Sequence, residues 1–243
     1  MRTTEKAAKP PSDHIGVMFV LVNADFSRRA ILASQDYAWL ASPQAGVERV
    51  LLDRIGGEVA RATSIVRYAP GSQFARHTHS GGEEILVLSG TFSDDEGDYP
   101  TGWYLRNPPK SSHRPFSSDG ATIFVKLQQF AAGDDAVVRI NTTDPAVWSN
   151  VGRRSICWLH TFDDEQVSMQ RIEAGESVFS GPANGAELLL VSGTLLLDDV
   201  AYSRGAWLRL PAPSRPDIVA GAAGATFYLK TGHLLHSPRE VPR

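Results

Sequence analysis

Gly71-Ser-Gln-Phe-Ala-Arg-His77-Thr-His79-Ser-Gly-Gly-Glu83-Glu84-Ile-Leu-Val-Leu-Ser-Gly90 places two histidines one residue apart and a carboxylate four residues after the second. Glycines punctuate the stretch, and Glu84-Ile-Leu-Val-Leu88 is a short apolar run of strand length. Side chains of a strand alternate between faces, so His77 and His79 share one face and Glu83 keeps their parity. Gly81-Gly82 supplies a bend between them. Glu84 has the opposite parity and becomes the ligand only if the two glycines form a bulge. A fourth ligand is available from a facing strand, His113 in Pro108-Pro-Lys-Ser-Ser-His-Arg-Pro115.

Three imidazoles and one carboxylate suit one borderline divalent transition metal, with Fe(II) or Zn(II) first and Mn(II), Ni(II) or Cu(II) as alternatives. Coordination positions beyond four would stay open to water, substrate or dioxygen. The bland alternative is a set of surface histidines in a polar loop. The spacing, the following strand and the closing glycine argue against it.

Outward from this stretch the chain is a series of short apolar runs separated by Gly, Pro, Asn and Asp. Val50-Leu-Leu-Asp53, Ala62–Tyr68, Glu84–Leu88, Trp103–Arg106 and Thr122–Leu127 read as strands. Ala30 to Leu40 holds at most a turn or two of helix. The pattern is all-β, a sandwich or barrel.

The chain also repeats itself. Ser64-Ile-Val-Arg-Tyr-Ala-Pro-Gly71 returns as Ser168-Met-Gln-Arg-Ile-Glu-Ala-Gly175, and Gly120-Ala-Thr-Ile-Phe-Val-Lys126 as Gly224-Ala-Thr-Phe-Tyr-Leu-Lys230, both 104 residues on. Val87-Leu-Ser-Gly-Thr-Phe92 returns as Leu190-Val-Ser-Gly-Thr-Leu195, and Gly102-Trp-Tyr-Leu-Arg-Asn-Pro108 as Gly205-Ala-Trp-Leu-Arg-Leu-Pro211. The expected organisation is a loose tail over 1–14, a metal-binding barrel over 15–131, a linker over 132–149 and a second barrel over 150–243. Residues shared by both halves, such as Arg106 with Arg209 and Lys126 with Lys230, serve the fold. Residues found in one half only are candidates for chemistry. In the second half His77 becomes Gly181, His79 becomes Ala183, His113 falls on Pro216 or Asp217, and Glu187 is the carboxylate that remains. The second barrel is expected to be metal-free.

Composition bounds the remainder. The chain has 243 residues, 42% of them hydrophobic, and a formal net charge of -3. A packed core is feasible, and nothing in the balance of charge attracts nucleic acid or anionic lipid. Cys157 is the single cysteine, which excludes internal disulfides and leaves a buried structural thiol as its role. The apolar run Ile15–Val22 has eight residues where a membrane span needs about twenty, so it reads as a strand entering the core. A cytoplasmic protein with a small-molecule partner, no nucleic acid and no membrane is expected, and a homodimer is compatible with the sequence.

The motif Gly71-x5-His77-x-His79-x3-Glu83-x6-Gly90, followed by Gly102-x5-Pro108-x4-His113, resembles the cupin superfamily. Gly81-Gly-Glu-Glu84, Phe92-Ser-Asp-Asp-Glu-Gly-Asp-Tyr99 and Arg106-Asn-Pro-Pro-x3-His113-x-Pro115 resemble its ChrR-like members more narrowly. The resemblance implies two tandem double-stranded β-helix (jelly-roll) barrels with a metal inside the first. It further implies either a dioxygenase that cleaves diketones or hydroxyketones, or a non-catalytic zinc- or ligand-binding module related to the anti-sigma factor ChrR and active in stress response. The helical zinc-binding domain of that anti-sigma factor has no counterpart in the N-terminal residues here, so direct sigma-factor sequestration is not expected.

The acidic run Ser93–Asp98 reads as a solvated hairpin turn. Tyr99, Trp103 and Tyr104 are core aromatics, with the barrel mouth as the alternative. Thr122, Phe124, Lys126 and Gln128 form one strand face, and Gln128 could support the metal shell if that face looks inward. His14, His160, His233 and His236 lie outside any motif and read as surface or core fillers.

Overall fold

The computed structural model describes residues 20–57 and 59–234. His14, His236, the 1–14 tail and most of the Ile15–Val22 run lie outside them. Fourteen strands carry the architecture. The first eight are β1 (Val20–Val22), β2 (Ala30–Leu32), β3 (Val47–Gly56), β4 (Ala60–Tyr68), β5 (Glu83–Asp94), β6 (Trp103–Asn107), β7 (Ala121–Leu127) and β8 (Val138–Asn141). The other six are β9 (Ser149–Val151), β10 (Arg154–Phe162), β11 (Glu165–Ile172), β12 (Ala186–Leu197), β13 (Trp207–Leu210) and β14 (Ile218–Thr231). No described helix is long and apolar enough to cross a membrane.

The repeat is a repeat of topology. The first sheet runs β1-β3-β4-β7-β5-β6-β8 and the second β9-β10-β11-β14-β12-β13-β2, all pairs antiparallel. Each half is thus the same five-strand order with one short strand added at either end. The added strands are exchanged. Ala30–Leu32, from the N-terminal side, pairs with Trp207–Arg209 of the second sheet, and Val138–Asn141, from the connecting segment, pairs with Trp103–Arg106 of the first. The Ala30–Leu40 stretch therefore holds strands and a single 3-10 turn at Ser34–Asp36 instead of α-helix. The described part of the Ile15–Val22 run, Val20–Val22, is an edge strand with Leu21 half exposed, so it does not enter the core.

Three hydrophobic cores follow from strand parity. Ile85, Val87, Leu105, Ile123 and Val125 point into the first half; Leu188, Leu190, Leu208, Phe227 and Leu229 point into the second. The opposite faces meet between the halves, where Leu86, Tyr104 and Phe124 pack with Met169, Trp207 and Tyr228. A strand covered on both faces must be apolar on both, which is why Ile85-Leu-Val-Leu88 is continuous instead of alternating. Each such side chain contributes about 1.5–3 kcal/mol by leaving water. Cys157 is fully buried in this middle core, and burial pushes its thiol up to about 11.

Charges are buried in the same layer. Lys126 Nζ stands 2.5 Å from Glu187 Oε2, and Lys230 Nζ 2.8 Å from Glu84 Oε2, so each half's lysine pairs with the other half's carboxylate. Arg106 contacts Glu84, Asp134 and Glu165, and Arg209 contacts Asp53. His160 Nε2 lies 2.9 Å from Asp134 Oδ2, the oxygen that accepts, and His233 Nε2 lies 3.3 Å from Glu187 Oε2. These two histidines belong to the inter-half network.

Candidate metal centre

His77–Thr78 and Ser112–His113 form a two-stranded antiparallel ribbon in which His77 and His113 are direct cross-strand partners. The His79 amide donates to the Ser111 carbonyl at 2.9 Å, and the Lys110 amide to the His79 carbonyl at 2.7 Å, extending the ribbon past the second histidine. After it the chain bends at Gly82, whose φ is +80° and where a Cβ would overlap the Phe130 ring. β5 then begins with Glu83 on the inward face and Glu84 on the outward one, where Tyr228, Arg106 and Lys230 take it up.

His77, His79, Glu83 and His113 converge, each offering one donor atom within 4.8 Å of the others. Glu83 Oε2 lies 3.4 Å from His79 Nε2 and 3.3 Å from His113 Nε2, and the three imidazole centroids are 4.8–5.1 Å apart. Donors about 2.0–2.2 Å from one ion stand roughly 3.0–3.5 Å from their neighbours, so the spacing fits a divalent metal. His79 Nε2 and His113 Nε2 are buried and have no hydrogen-bond partner among the described residues. Buried nitrogens without a partner are costly unless something occupies the space between them. A metal ion fits that donor set.

The opposite ring nitrogens are held in place. His77 Nδ1 is 3.0 Å from the Ala75 carbonyl and His113 Nδ1 is 3.0 Å from Asp94 Oδ2. An imidazole that gives Nδ1–H to an oxygen turns its Nε2 lone pair the other way, toward the cluster. Asn107 donates to Glu83 Oε2 at 3.0 Å, and Arg139 from β8 donates to Asn107 Oδ1 at 2.8 Å. Burial, with His113 and His77 adding to it, holds His79 below its ordinary pKa and in its neutral, ligating form, against the pull of Glu83. Burial lowers His113 as well, but the hydrogen bond to Asp94 and the charge of Glu83 outweigh it and leave that pKa raised.

A cavity of about 280 Å³ opens beside the cluster, lined by His77, His79 and Glu83 together with apolar Phe74, Ile123 and Val125. Gln128 also lines it, through a route the strand pattern does not show. The Phe124–Lys126 face turns toward the other half, but the strand ends at Leu127, and Gln128 (φ +60°) swings round to donate to Ser80 Oγ at 2.5 Å. None of Tyr99, Trp103 and Tyr104 lines the cavity; Tyr99 and Tyr104 are buried core residues and Trp103 packs against Tyr99.

Asp94, Asn107 and Arg139 are the residues that sequence reading misses. Asp94 belongs to the acidic run expected to be solvated, and the turn is there at Asp95–Glu96, but Asp94 itself is the buried last residue of β5. The repeat carries the signal that exposes two of them. In the second half Asp94 matches Leu197 and Asn107 matches Leu210. Strand register also corrects one assignment. Glu187 pairs across its sheet with Arg209 and Lys230, as Glu84 does with Arg106 and Lys126, so its counterpart is Glu84. Glu83 matches Ala186. Ala183, Ala186, Leu197 and Leu210 all belong to the core of the second half, in the places of His79, Glu83, Asp94 and Asn107.

One further group, Asp134, His160 and Glu165, has metal-ligand composition, but Arg106 bonds both carboxylates and fills that role.

The model of the ChrR cupin-like domain matches residues 27–131. Similar solved structures include a protein of Nostoc punctiforme provisionally named a dioxygenase, with a TM-score of 0.69 and 13% identity over 89% of this chain and 88% of that one. The bacterial pirin YhhW of Escherichia coli in complex with nickel(II) follows with a TM-score of 0.63 and 11% identity over 84% and 98%. Oxalate decarboxylase of Bacillus subtilis gives 0.58 and 12% over 83% and 76%. No curated protein matches. The chain has the cupin fold, and its residues 27–131 match the ChrR cupin-like domain. The likenesses to solved structures, at these identities, establish the fold.

Proposed function

We propose that the protein is a non-haem Fe(II) dioxygenase acting on a small diketone or hydroxyketone-like substrate. The observation that carries this reading is the position of the donor cluster. His77, His79 and Glu83 of the cluster line an apolar cavity sized for a small ligand, and His79 Nε2 has no hydrogen-bond partner among the described residues. Iron(II) supplies Lewis acidity toward the substrate oxygens and one-electron chemistry toward dioxygen. The protein's share is positioning. Ala75 and Asp94 orient two imidazoles, Asn107 steadies the carboxylate, and Phe74, Ile123 and Val125 keep water from the reacting atoms. The provisionally named dioxygenase among the similar folds is consistent with this chemistry.

A second reading rests on Glu83. A carboxylate beside two imidazole nitrogens completes a four-donor set that closes around zinc, as in non-catalytic sites. The protein would then be a zinc- or ligand-binding module of a stress response, related to ChrR. The two readings separate by purifying the protein without chelator, determining its metal, and following oxygen uptake with acetylacetone and with aromatic hydroxyketones. The dioxygenase reading expects uptake that depends on iron. Bound zinc, with no uptake after iron reconstitution, contradicts it.

A further inference from the structure

The cavity beside the metal cluster has a charged wall that neither the fold nor metal binding requires. Arg49 lies on β3 with Val47, opposite Val66 of β4, and all three line the cavity. Its guanidinium donates to Ser42 Oγ. The arginines between the halves have carboxylate partners: Arg61 and Arg209 have Asp53, and Arg106 has Glu84, Asp134 and Glu165, while Arg54, half-buried like Arg49, donates to the Gly57 carbonyl away from the cavity lining. Arg49 forms no ion pair among the described residues. Burial lowers its pKa, and the one group that favours its charge is the Tyr68 phenol nearby. Tyr68 also lines the cavity, is buried, and makes no hydrogen bond through its hydroxyl to a described residue. A half-buried cation facing an apolar cavity without a counter-charge is costly, and an anion supplied by a ligand removes the cost.

The duplicated half gives independent support. Arg49 pairs with Val66 as Ile156 pairs with Gln170, so Ile156 holds the place of Arg49. Tyr68 pairs with Ala121 as Ile172 pairs with Ala225, so Ile172 holds the place of Tyr68. Both isoleucines are buried. The half that has lost the histidines has also lost the cation and the phenol, as expected if all serve one ligand.

We infer that Arg49, with the Tyr68 hydroxyl beside it, is the anion-binding end of the metal cavity, so that its ligand is a small carboxylic acid bearing a carbonyl or hydroxyl group for the metal end. This rests on the metal-centre reading and narrows its substrate class from dicarbonyls in general to acidic ones. A cavity of about 280 Å³ restricts the ligand to a few carbons.

The test uses acetoacetate and acetylacetone, which differ by a carboxylate in place of an acetyl group. Binding is measured by calorimetry on zinc-loaded protein, where turnover does not interfere. Acetoacetate is expected to bind roughly tenfold more tightly, the equivalent of one charge-assisted contact. Arg49→Gln should erase the preference while retaining stoichiometric metal, and Arg49→Lys should keep part of it. Equal affinities in the unmodified protein, no binding of acetoacetate, or an unchanged preference in Arg49→Gln would overturn the inference. If the protein retains no metal, the metal-centre reading fails separately. The same titrations on the metal-free protein then judge Arg49 alone: selective acetoacetate binding lost in Arg49→Gln sustains it, and no difference between the two probes overturns it.

Discussion

The Nδ1 atom of His113 stands 3.0 Å from Oδ2 of Asp94, a carboxylate buried at the end of the strand that begins with Glu83. One strand thus provides a direct donor at its start and the support for another donor at its end. Burial raises the Asp94 pKa, but the His113 hydrogen bond and the Glu96 amide outweigh it and keep the carboxyl ionised.

Asp94→Asn keeps the shape and removes the charge. Loss of such a supporting contact weakens metal affinity by about 10–100-fold. Competition with a chromophoric chelator measures this directly. An affinity equal to that of the unmodified protein would show that the His113–Asp94 contact is only structural.

The paired lysines and glutamates between the halves predict an asymmetry between single and double replacements. Glu187→Ala leaves Lys126 buried and unpaired, which costs about 3–5 kcal/mol. Lys126→Met combined with Glu187→Leu removes both charges and should cost far less in a urea-unfolding comparison. Equal losses would mean that the site is limited by packing and not by charge.

The same network sets the response to acid. Burial pushes the Glu84 carboxyl up, but Lys230, Arg106 and Lys126 outweigh it and bring it to about 2. A carboxyl whose folded pKa is depressed contributes stability that is complete above its unfolded value, about 4.3, and lost as pH falls through the folded one. Glu187, lowered in the same sense against burial by Lys126 and His233, adds to it. The urea midpoint should therefore fall between about pH 4.5 and about pH 2, and Glu84→Gln should flatten that fall. A midpoint insensitive to pH over this range would contradict the assignment.

Much of this protein is legible before the structure. Two histidines at period two, a carboxylate in phase with them and a 104-residue repeat point to the donor set and to the doubled barrel. The exchanged edge strands are not legible, because three or four residues such as Ala30–Leu32 carry no periodicity and their pairing is decided by which sheet edge is free. Asp94 is hidden for a different reason. An acidic run looks solvated throughout, whereas its first two residues, Ser93 and Asp94, are the buried end of β5, and Asp94 turns to His113. Comparing the halves position by position, Asp94 with Leu197 and Asn107 with Leu210, recovers what composition conceals.

The central claim is that His77, His79, Glu83 and His113 hold one divalent metal ion, and elemental analysis of the protein purified without chelator, alongside its His79→Ala variant, tests it most directly. The account predicts about one equivalent of transition metal in the unmodified protein, and its loss in a variant whose far-ultraviolet circular dichroism is unchanged. Stoichiometric metal retained by His79→Ala, or none in the unmodified protein even after incubation with iron(II) or zinc, would contradict it.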